Sequence, residues 1–344
     1  MRRSVIIKTF LLLGVAIAPG LADRLQAQPS PSLANFWNTN AVWASDSNNI
    51  GASFGFHCLA AITNDAGIWA YYIHNYSAPG GLTKSATGRA RSTDGLKWTD
   101  DGIVMDVGGK DKASATNGPG KIWDDRLATF PGIWKDGDIW YLVYEGAAED
   151  IPFSPGDIGL ATSTDGKNFY KHPGNPILRH NTNGWEAVNI GTPSLYKEKD
   201  TWYLFYHGYD GTFCRVGVAT GNSLTNLTKY SGNPVVDVAS GTNAWDSGSV
   251  GKRTVAKEGA FYYMAFEGST RPPYDKAKWS SGLARSTNLL AWTKFPANPV
   301  IPQTDGGFGF DATEVIPING SWYMYVRTSD ETAPTKRFRL APRK

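Results

Sequence analysis

The sequence predicts an all-β protein, a five-bladed β-propeller built from four-stranded antiparallel blades. One observation is a repeat: the pairs Trp123-Asp124, Trp185-Glu186 and Trp245-Asp246 recur at intervals of 62 and 60 residues. A second is that each pair precedes a β-hairpin pattern, an apolar run, a polar or glycine turn and an alternating aromatic run. The third is that helical periodicity is nearly absent after residue 22. A repeat of one supersecondary unit at a fixed period is typical of propellers and solenoids.

The N-terminus is predicted to be an export signal. Met1-Arg2-Arg3 is followed by an apolar stretch, TFLLLGVAIA, that is too short to span a bilayer. Small residues predict cleavage after Ala22, with Ala27 as the alternative. No later segment reaches 18 apolar residues. We therefore expect a secreted or periplasmic protein with no membrane association after cleavage, and a single domain over residues 29–344.

Five hairpins are expected in the mature chain. Three have closely similar texts, FPGIWKDGDIWYLVYEG, TPSLYKEKDTWYLFYHG and KRTVAKEGAFYYMAFEG, and degenerate copies begin near His57 and Asp311. A second module such as GLATSTDGKNF, from Gly159, adds a third strand, a turn and a short outer strand. The fifth unit lacks its outer strand, which we expect the segment Phe36 to Trp43 to supply. Such closure removes the unpaired edge of a linear array.

Composition excludes several classes of protein. The formal net charge is +3 and no basic run stands out, so a nucleic-acid partner is not expected. Cys58 and Cys214 are the only cysteines, which excludes a disulfide scaffold or a multi-cysteine zinc site. They fall in blades that are not neighbours, and we expect two free thiols. Glycine, at 38 of 344 residues, fits a chain with many turns.

One repeat position carries titratable residues in all five hairpins when each is counted from its aromatic residue. These residues are His74, Glu145, His207, Glu267 and Arg327. Such a ring around a central channel would suit sugar hydroxyls and coupled proton transfer. The alternative is that these side chains face solvent or bind neighbouring backbone.

Further candidates lie near the entrances of the inner strands. Asp125 and Arg126 break the repeat, and an Asp beside an Arg stays ionised. Asp311 and Glu314 lie close to the fifth inner strand, and His57 lies at the first. Glu186 is the carboxylate near the third entrance, although its slot, shared with Asp124 and Asp246, also fits a scaffold role. From these residues we predict four catalytic carboxylates, Asp125, Glu186, Glu267 and Asp311. The other candidates are predicted to bind the substrate: His57, His74, Arg126, Glu145, His207, Glu314 and Arg327.

The sequence resembles the five-bladed propeller glycoside hydrolases, which include families 43, 32, 68 and 130. The segments that carry this resemblance are WYLVYEG, ATSTDGKNF and GNPIL. This resemblance implies a secreted enzyme acting on a glycosidic bond, with acids at the starts of the inner strands. It also implies that a structural calcium ion could occupy the channel; no other cofactor is expected. The sequence departs from the family pattern where the acids would stand. Phe56-His57-Cys58, Thr129-Phe130-Pro131 and Gly191-Thr192-Pro193 occupy these places.

The function predicted from these observations is glycoside hydrolysis of a poly- or oligosaccharide, by carboxylate acid/base catalysis at the channel mouth. We expect the enzyme to be a monomer with a carbohydrate substrate. One alternative is a non-catalytic carbohydrate-binding propeller, favoured by the missing family acids. Another is a phosphorolytic enzyme, whose phosphate site could draw on Arg126, Lys252, Arg253 and Arg327.

Overall fold

The computed structural model describes residues 31–47, 59–64, 66–108, 122–148, 156–271, 277–302, 311–327 and 335–344. It confirms the all-β class, because the described residues form twenty strands and one short α-helix. The predicted signal peptide, residues 1–22, lies outside the described residues. No helix in the described ranges has both the length and the hydropathy needed to cross a membrane.

The first eight-stranded sheet joins two antiparallel runs of four strands, which we call unit 1 and unit 2. Unit 1 contains β2 (Ala60–Asn64), β3 (Gly67–Ser77), β4 (Thr83–Ser92) and β5 (Thr99–Met105). Unit 2 contains β6 (Leu127–Asp136), β7 (Ile139–Ala147), β8 (Asp157–Ser163) and β9 (Tyr170–Lys171). A single parallel pair, Ser85 with Leu127, connects the two units.

The second eight-stranded sheet repeats this arrangement in units 3 and 4. Unit 3 contains β10 (Asn189–Glu198), β11 (Thr201–Tyr209), β12 (Cys214–Gly221) and β13 (Thr228–Lys229). Unit 4 contains β14 (Ser249–Glu258), β15 (Phe261–Ser269), β16 (Trp279–Ser286) and β17 (Thr293–Lys294). Their connecting parallel pair is Cys214 with Ser249.

Unit 5 combines both ends of the described chain. It contains β18 (Asp311–Ile318), β19 (Ser321–Arg327), β20 (Lys336–Pro342) and β1 (Ala41–Ser47), with β1 antiparallel to β20. The N-terminal segment therefore supplies the outer strand, but over Ala41–Ser47 rather than from Phe36. The preceding residues form helix α1 (Leu33–Trp37), whose N-cap Ser32 accepts a hydrogen bond from the backbone N–H of Asn35.

Five apolar clusters of the described residues lie between consecutive units. Leu142 and Tyr71 belong to the cluster of units 1 and 2, and later clusters join units 2 and 3, 3 and 4, and 4 and 5. The fifth cluster contains Tyr72 of unit 1 together with Ile316 and Tyr325 of unit 5. The hydrophobic core is therefore distributed between faces of neighbouring sheets, at which burial of apolar surface stabilises the fold.

The turns between the third and fourth strands of units 1 and 2 attach each of these units to a neighbour. In the Ser-Thr-Asp-Gly turn of unit 2, Gly166 accepts hydrogen bonds from the Tyr71 hydroxyl and the Arg89 guanidinium of unit 1. In unit 1, Gly95 accepts one from the Tyr325 hydroxyl of unit 5. These repeated turns are thus contacts between units as well as local connections.

Candidate functional site

The inner strands of units 2 to 5 each contain a register shift close to the end at which the strand begins, which we call the rim. The shifts lie between Thr129 and Gly132, Gly191 and Ser194, Val250 and Arg253, and Asp311 and Glu314. Extra residues in one strand of a pair bend it and re-aim its side chains, which is why bulges are common beside active sites. Phe130 and Thr192 in the first two bulges have left-handed φ values of 53° and 42°.

The second strand of each unit ends at the rim. We call the residue six positions after the start of this strand the rim position. In units 2 to 5 it is Glu145, His207, Glu267 and Arg327. In unit 1 the same count gives Ile73.

His74 therefore lies one residue beyond the rim position, and the predicted ring of five titratable residues is wrong for unit 1. The error arose because Trp69 is the third residue of β3, whereas Trp140 and Trp202 are the second residues of theirs. A shift of one residue turns a side chain to the opposite face of a sheet. The ring of His74 is 3.4 Å from the Tyr72 hydroxyl, which donates to Asp100.

Glu145 lies in a buried pocket between units 2 and 3. Its Oε2 accepts the backbone N–H of Thr192 at 2.9 Å. Its carboxylate fits because two neighbours are glycines: a Cβ on Gly191 would lie 1.8 Å from Oε2, and one on Gly156 would lie 2.6 Å from Oε1. Burial raises the pKa of Glu145 to about 7. The Thr192 N–H, the Asn189 amide and the Arg253 charge each lower this pKa, but the effect of burial is larger.

Several polar atoms around Glu145 are buried without a hydrogen-bond partner among the described residues. They are Oε1 of Glu145, Oδ1 of Asn189 and Oγ1 of Thr129. Thr129 and Glu145 are directly paired across the ladder between β6 and β7. Buried polar groups in proteins are generally hydrogen-bonded, so this cluster offers its atoms to water or to a polar ligand.

His207 is held next to Glu145 by the same threonine. Its Nδ1 is 2.8 Å from the Thr192 hydroxyl, which also accepts a hydrogen bond from Arg253 at 2.6 Å. Burial and the Arg253 charge lower the pKa of His207 to about 3. The imidazole is therefore neutral at physiological pH. Thr192 thus connects residues of units 2, 3 and 4.

Glu267 and Glu314 occupy the next part of this network, on either side of Lys252. Oε1 of Glu267 accepts the backbone N–H of Lys252 at 2.7 Å, and Nζ of Lys252 is 3.6 Å from Oε2 of Glu314. Oε1 of Glu314 accepts from the Ala61 N–H and the Thr254 hydroxyl, both at 3.3 Å. Burial raises the pKa of Glu314 to about 7, and this effect is larger than the lowering of the pKa by the Lys252 charge.

A cavity of about 410 Å³ lies beneath this network. Residues from the inner strands of all five units line it, and Lys252, Arg253 and Glu314 are among them. The polar network is therefore at the rim end of a space shared by the five units.

Glu186 occupies a different environment. It is buried and forms an ion pair with Lys229, as Asp124 does with Lys171 and Asp246 with Lys294. A contact that recurs in three units is a feature of the scaffold. The ion pair with Lys229 also occupies the Glu186 carboxylate, whereas a proton donor needs a carboxyl group that is available to the substrate.

The remaining predicted residues have other contacts or lie outside the described residues. Asp125 is half exposed and contacts Lys84 at 3.3 Å, and Arg126 hydrogen-bonds through its backbone to Ala147. Arg327 pairs with Asp311 across the ladder of unit 5. The side chain of Asp311 and all of His57 lie outside the described residues, as does Cys58. Cys214 is a free thiol, and burial raises its pKa to about 12.

Sequence reasoning missed Thr192 and Asn189 as functional candidates. Thr192 lies in the Gly-Thr-Pro text that replaces the expected family acid, and this departure was the available signal. Among the described residues there is no group of three or more His, Cys, Asp or Glu that could hold a metal ion. We therefore assign no step to calcium.

Comparisons with known proteins identify the fold. No family model matches the sequence, and no curated protein matches it. Solved structures do match. A complex of BT0996 with RGII has a TM-score of 0.64 at 19% identity, covering 89% of this protein and 91% of BT0996.

Two further solved structures agree with this result. A thermostable family-43 glycoside hydrolase has a TM-score of 0.61 at 16% identity, covering 86% of this chain and 91% of its own. A GH130 protein, from a family of mannoside phosphorylases containing hydrolases that target β-1,2 mannosidic linkages in Candida mannan, has a TM-score of 0.59. Its identity is 16%, with 88% of each chain covered. The chain shares the fold of these propeller-type glycoside hydrolases.

Proposed function

We propose that this protein is a glycoside hydrolase in which Glu145 donates a proton to the leaving oxygen. The observation that carries the proposal is the state of Glu145: burial raises its pKa to about 7, and its Oε1 has no partner among the described residues. A carboxyl group that is protonated near neutral pH is suited to general acid catalysis. The fold shared with glycoside hydrolases supports the same reaction class, although fold alone does not define activity.

The second carboxylate in the proposal is Glu267. Glycosidases place two carboxyl groups on either side of the scissile bond, one as acid and one as base or nucleophile. Glu145 and Glu267 hold the rim positions of units 2 and 4, and His207 holds the position between them. Glu267 binds the Lys252 N–H, and the adjacent Arg253 donates to Thr192, whose own N–H binds Glu145, so the two carboxylates belong to one connected set of contacts. The backbone N–H of Lys252 gives Glu267 a fixed hydrogen-bond donor.

The neutral imidazole of His207 and the permanent charge of Arg253 complete the proposed site. Because the pKa of His207 is about 3, the ring can hydrogen-bond a sugar hydroxyl without adding a charge. Arg253 is fully buried and donates to Thr192 and to the Gly251 carbonyl. It therefore connects the inner strands of units 3 and 4 at the rim.

The test is a screen of purified protein against arabinan, xylan, fructan, mannan and aryl glycosides. Wild-type protein is expected to release reducing sugar or aryl alcohol from at least one of them. Glu145→Gln is expected to lower kcat/KM by about 10²–10⁴. Glu198→Gln is the control, because Glu198 contacts Lys257 at the opposite end of the inner strands. Full activity in Glu145→Gln would contradict the assignment.

Phosphorolysis and binding without catalysis are separated in the same assay. Release of a sugar phosphate only when inorganic phosphate is added would identify a phosphorylase. Retention of a polysaccharide on the protein with no bond cleavage would identify a binding protein. Lys252 and Arg253 both have partners within the network, which favours hydrolysis over a phosphate site.

We also propose that the five units are the blades of a propeller and that the protein is exported as a monomer. Contacts of unit 5 with unit 1, through Tyr325 and Glu314, support a ring. Expression with the natural N-terminus, followed by N-terminal sequencing of the secreted product, tests cleavage after Ala22 or Ala27. Light scattering tests the monomer.

A further inference from the structure

We infer that Phe130, which packs on the buried Ile73, forms an apolar wall of the site that contacts the C–H face of a sugar ring. This inference rests on the proposed carbohydrate substrate and adds a specificity-determining contact to it. Neither residue belongs to the acid/base network. Three observations on the described residues support it.

The first is backbone strain at Phe130. Its φ of 53° lies in the left-handed region, which is unfavourable for a bulky side chain. Glycine or asparagine would avoid most of this strain. Strained backbone of this kind tends to cluster at active sites and ligand clamps. A phenylalanine at this position therefore calls for a reason other than stability.

The second observation is the direction of the side chain. Phe130 and Thr192 occupy equivalent places, each directly following the residue paired with the rim position of its own unit. The Thr192 side chain points into the polar network, where it contacts His207 and Arg253. The matching backbone conformation directs Phe130 to the same rim.

The third observation is what Phe130 contacts. It packs against Ile73, the rim-position residue of the preceding unit, just as Thr192 binds Glu145 of its preceding unit. Phe130 and Ile73 form a cluster separate from the five larger apolar clusters of the described residues. The ring of Phe130 remains partly exposed.

The rim therefore has two unlike sides. Units 2 to 4 contribute carboxylates, an imidazole and a guanidinium, whereas unit 2 also contributes the aromatic ring of Phe130, packed on the buried Ile73 of unit 1. A pyranose or furanose has hydroxyl groups at its edge and C–H groups on its faces, so it matches both sides at once. Aromatic rings combine large apolar area with a defined shape, which suits such a face.

The test compares Phe130→Gly, Phe130→Asn and Phe130→Tyr. Glycine and asparagine relieve the left-handed strain and remove the ring, whereas tyrosine keeps the ring. With the substrate found in the glycoside screen, Phe130→Gly and Phe130→Asn are expected to raise KM about tenfold or more without lowering Tm appreciably. Phe130→Tyr is expected to keep KM within about threefold of wild type.

The matched control is Lys199→Gly. Lys199 has a φ of 54° in the hairpin turn of unit 3, at the opposite end of the inner strands from the rim. Glycine there relieves the same kind of strain and should leave KM unchanged. Unchanged KM in both Phe130→Gly and Phe130→Asn would overturn the inference.

A glycan array of plant and microbial oligosaccharides distinguishes failure of this inference from failure of the proposed function. If wild type cleaves no glycoside but binds a glycan, loss of that binding in Phe130→Gly supports the apolar wall while hydrolysis is rejected. Equal binding by wild type and Phe130→Gly overturns the wall. Absence of both cleavage and glycan binding in the wild type overturns both.

Discussion

At the scale of single residues, burial sets the protonation of three side chains of the candidate site. Glu145 and Glu314 are nearly inaccessible to solvent, and burial disfavours their charged forms. For His207 burial disfavours the imidazolium, and the Arg253 charge acts in the same direction. The result is a site that gains a protonated acid near neutral pH while keeping its histidine neutral.

The first prediction concerns the pH dependence of activity. If Glu145 must be protonated to act, kcat/KM should fall as pH rises through about 7. His207 should contribute no inflection between pH 5 and 9, because its pKa is about 3. The measurement is a kcat/KM profile on an oligosaccharide substrate from the screen, because a sugar leaving group needs a proton. A profile that is flat from pH 5 to 9 would contradict the role of Glu145.

The second prediction concerns stability. The folded pKa values of Glu145 and Glu314 are raised above the ordinary value of 4.5, to about 7. Their contribution is therefore fully present below about pH 4.5 and is lost as pH rises through about 7. Tm is expected to fall between pH 5 and 8, and the slope to be smaller in Glu145→Gln and Glu314→Gln. Thermal unfolding followed by circular dichroism measures this; an unchanged slope in both variants would refute it.

At the scale of single strands, the bulges position the residues of the candidate site. Regular pairing would leave Gly191 and Thr192 alternating between the faces of β10. The shift between Gly191 and Ser194 instead brings the Thr192 N–H to Glu145 and the hydroxyl to His207. The sequence reveals hairpins through their turns and period-2 alternation, but a bulge has little local signature apart from Gly-Thr-Pro and Thr-Phe-Pro.

The third prediction tests this geometry with Gly191→Ala. The added Cβ would lie 1.8 Å from Glu145 Oε2, so the carboxylate must move and the Thr192 hydrogen bond must break. Activity is expected to fall by about 10² or more, with the protein still folded, because small displacements of catalytic groups are costly. Gly184→Ala is the control, since a Cβ there meets no atom within 4 Å and only its left-handed φ is affected. Wild-type activity in Gly191→Ala would contradict the bulge's role.

At the scale of the whole molecule, Arg337 connects three parts of the chain. Its guanidinium contacts Asp46 of β1 within unit 5, and it donates to the Asp94 carbonyl of unit 1 at 2.9 Å. Arg337 is buried, so loss of its charge would leave Asp46 without its cationic partner.

The fourth prediction is that Arg337→Met lowers Tm by about 3–6 °C, since it removes charge-assisted hydrogen bonds to the partly exposed Asp46 and to the Asp94 carbonyl, worth about 1.5–3 kcal/mol. Arg339→Met is the control, because Arg339 is exposed and donates to the Ser321 hydroxyl. Differential scanning calorimetry measures both variants. A shift in Arg337→Met no larger than in Arg339→Met would show that this contact does not stabilise the ends of the chain.

The sequence alone determined the all-β class, the repeated hairpins and the contribution of the N-terminal segment to the last sheet. Turn residues, the alternation of apolar and polar residues and the spacing of aromatic residues are local features, so they can be recognised in the amino-acid sequence. Glu145, His207, Glu267 and Arg327 followed from the same period. Only the tertiary structure decided that Ile73, not His74, completes this position, and that Glu186 is held by Lys229. It also decided that Thr192 joins three units. The reason is that one residue of register changes the face of a strand, and contacts between units are set by burial and close approach across distant parts of the chain.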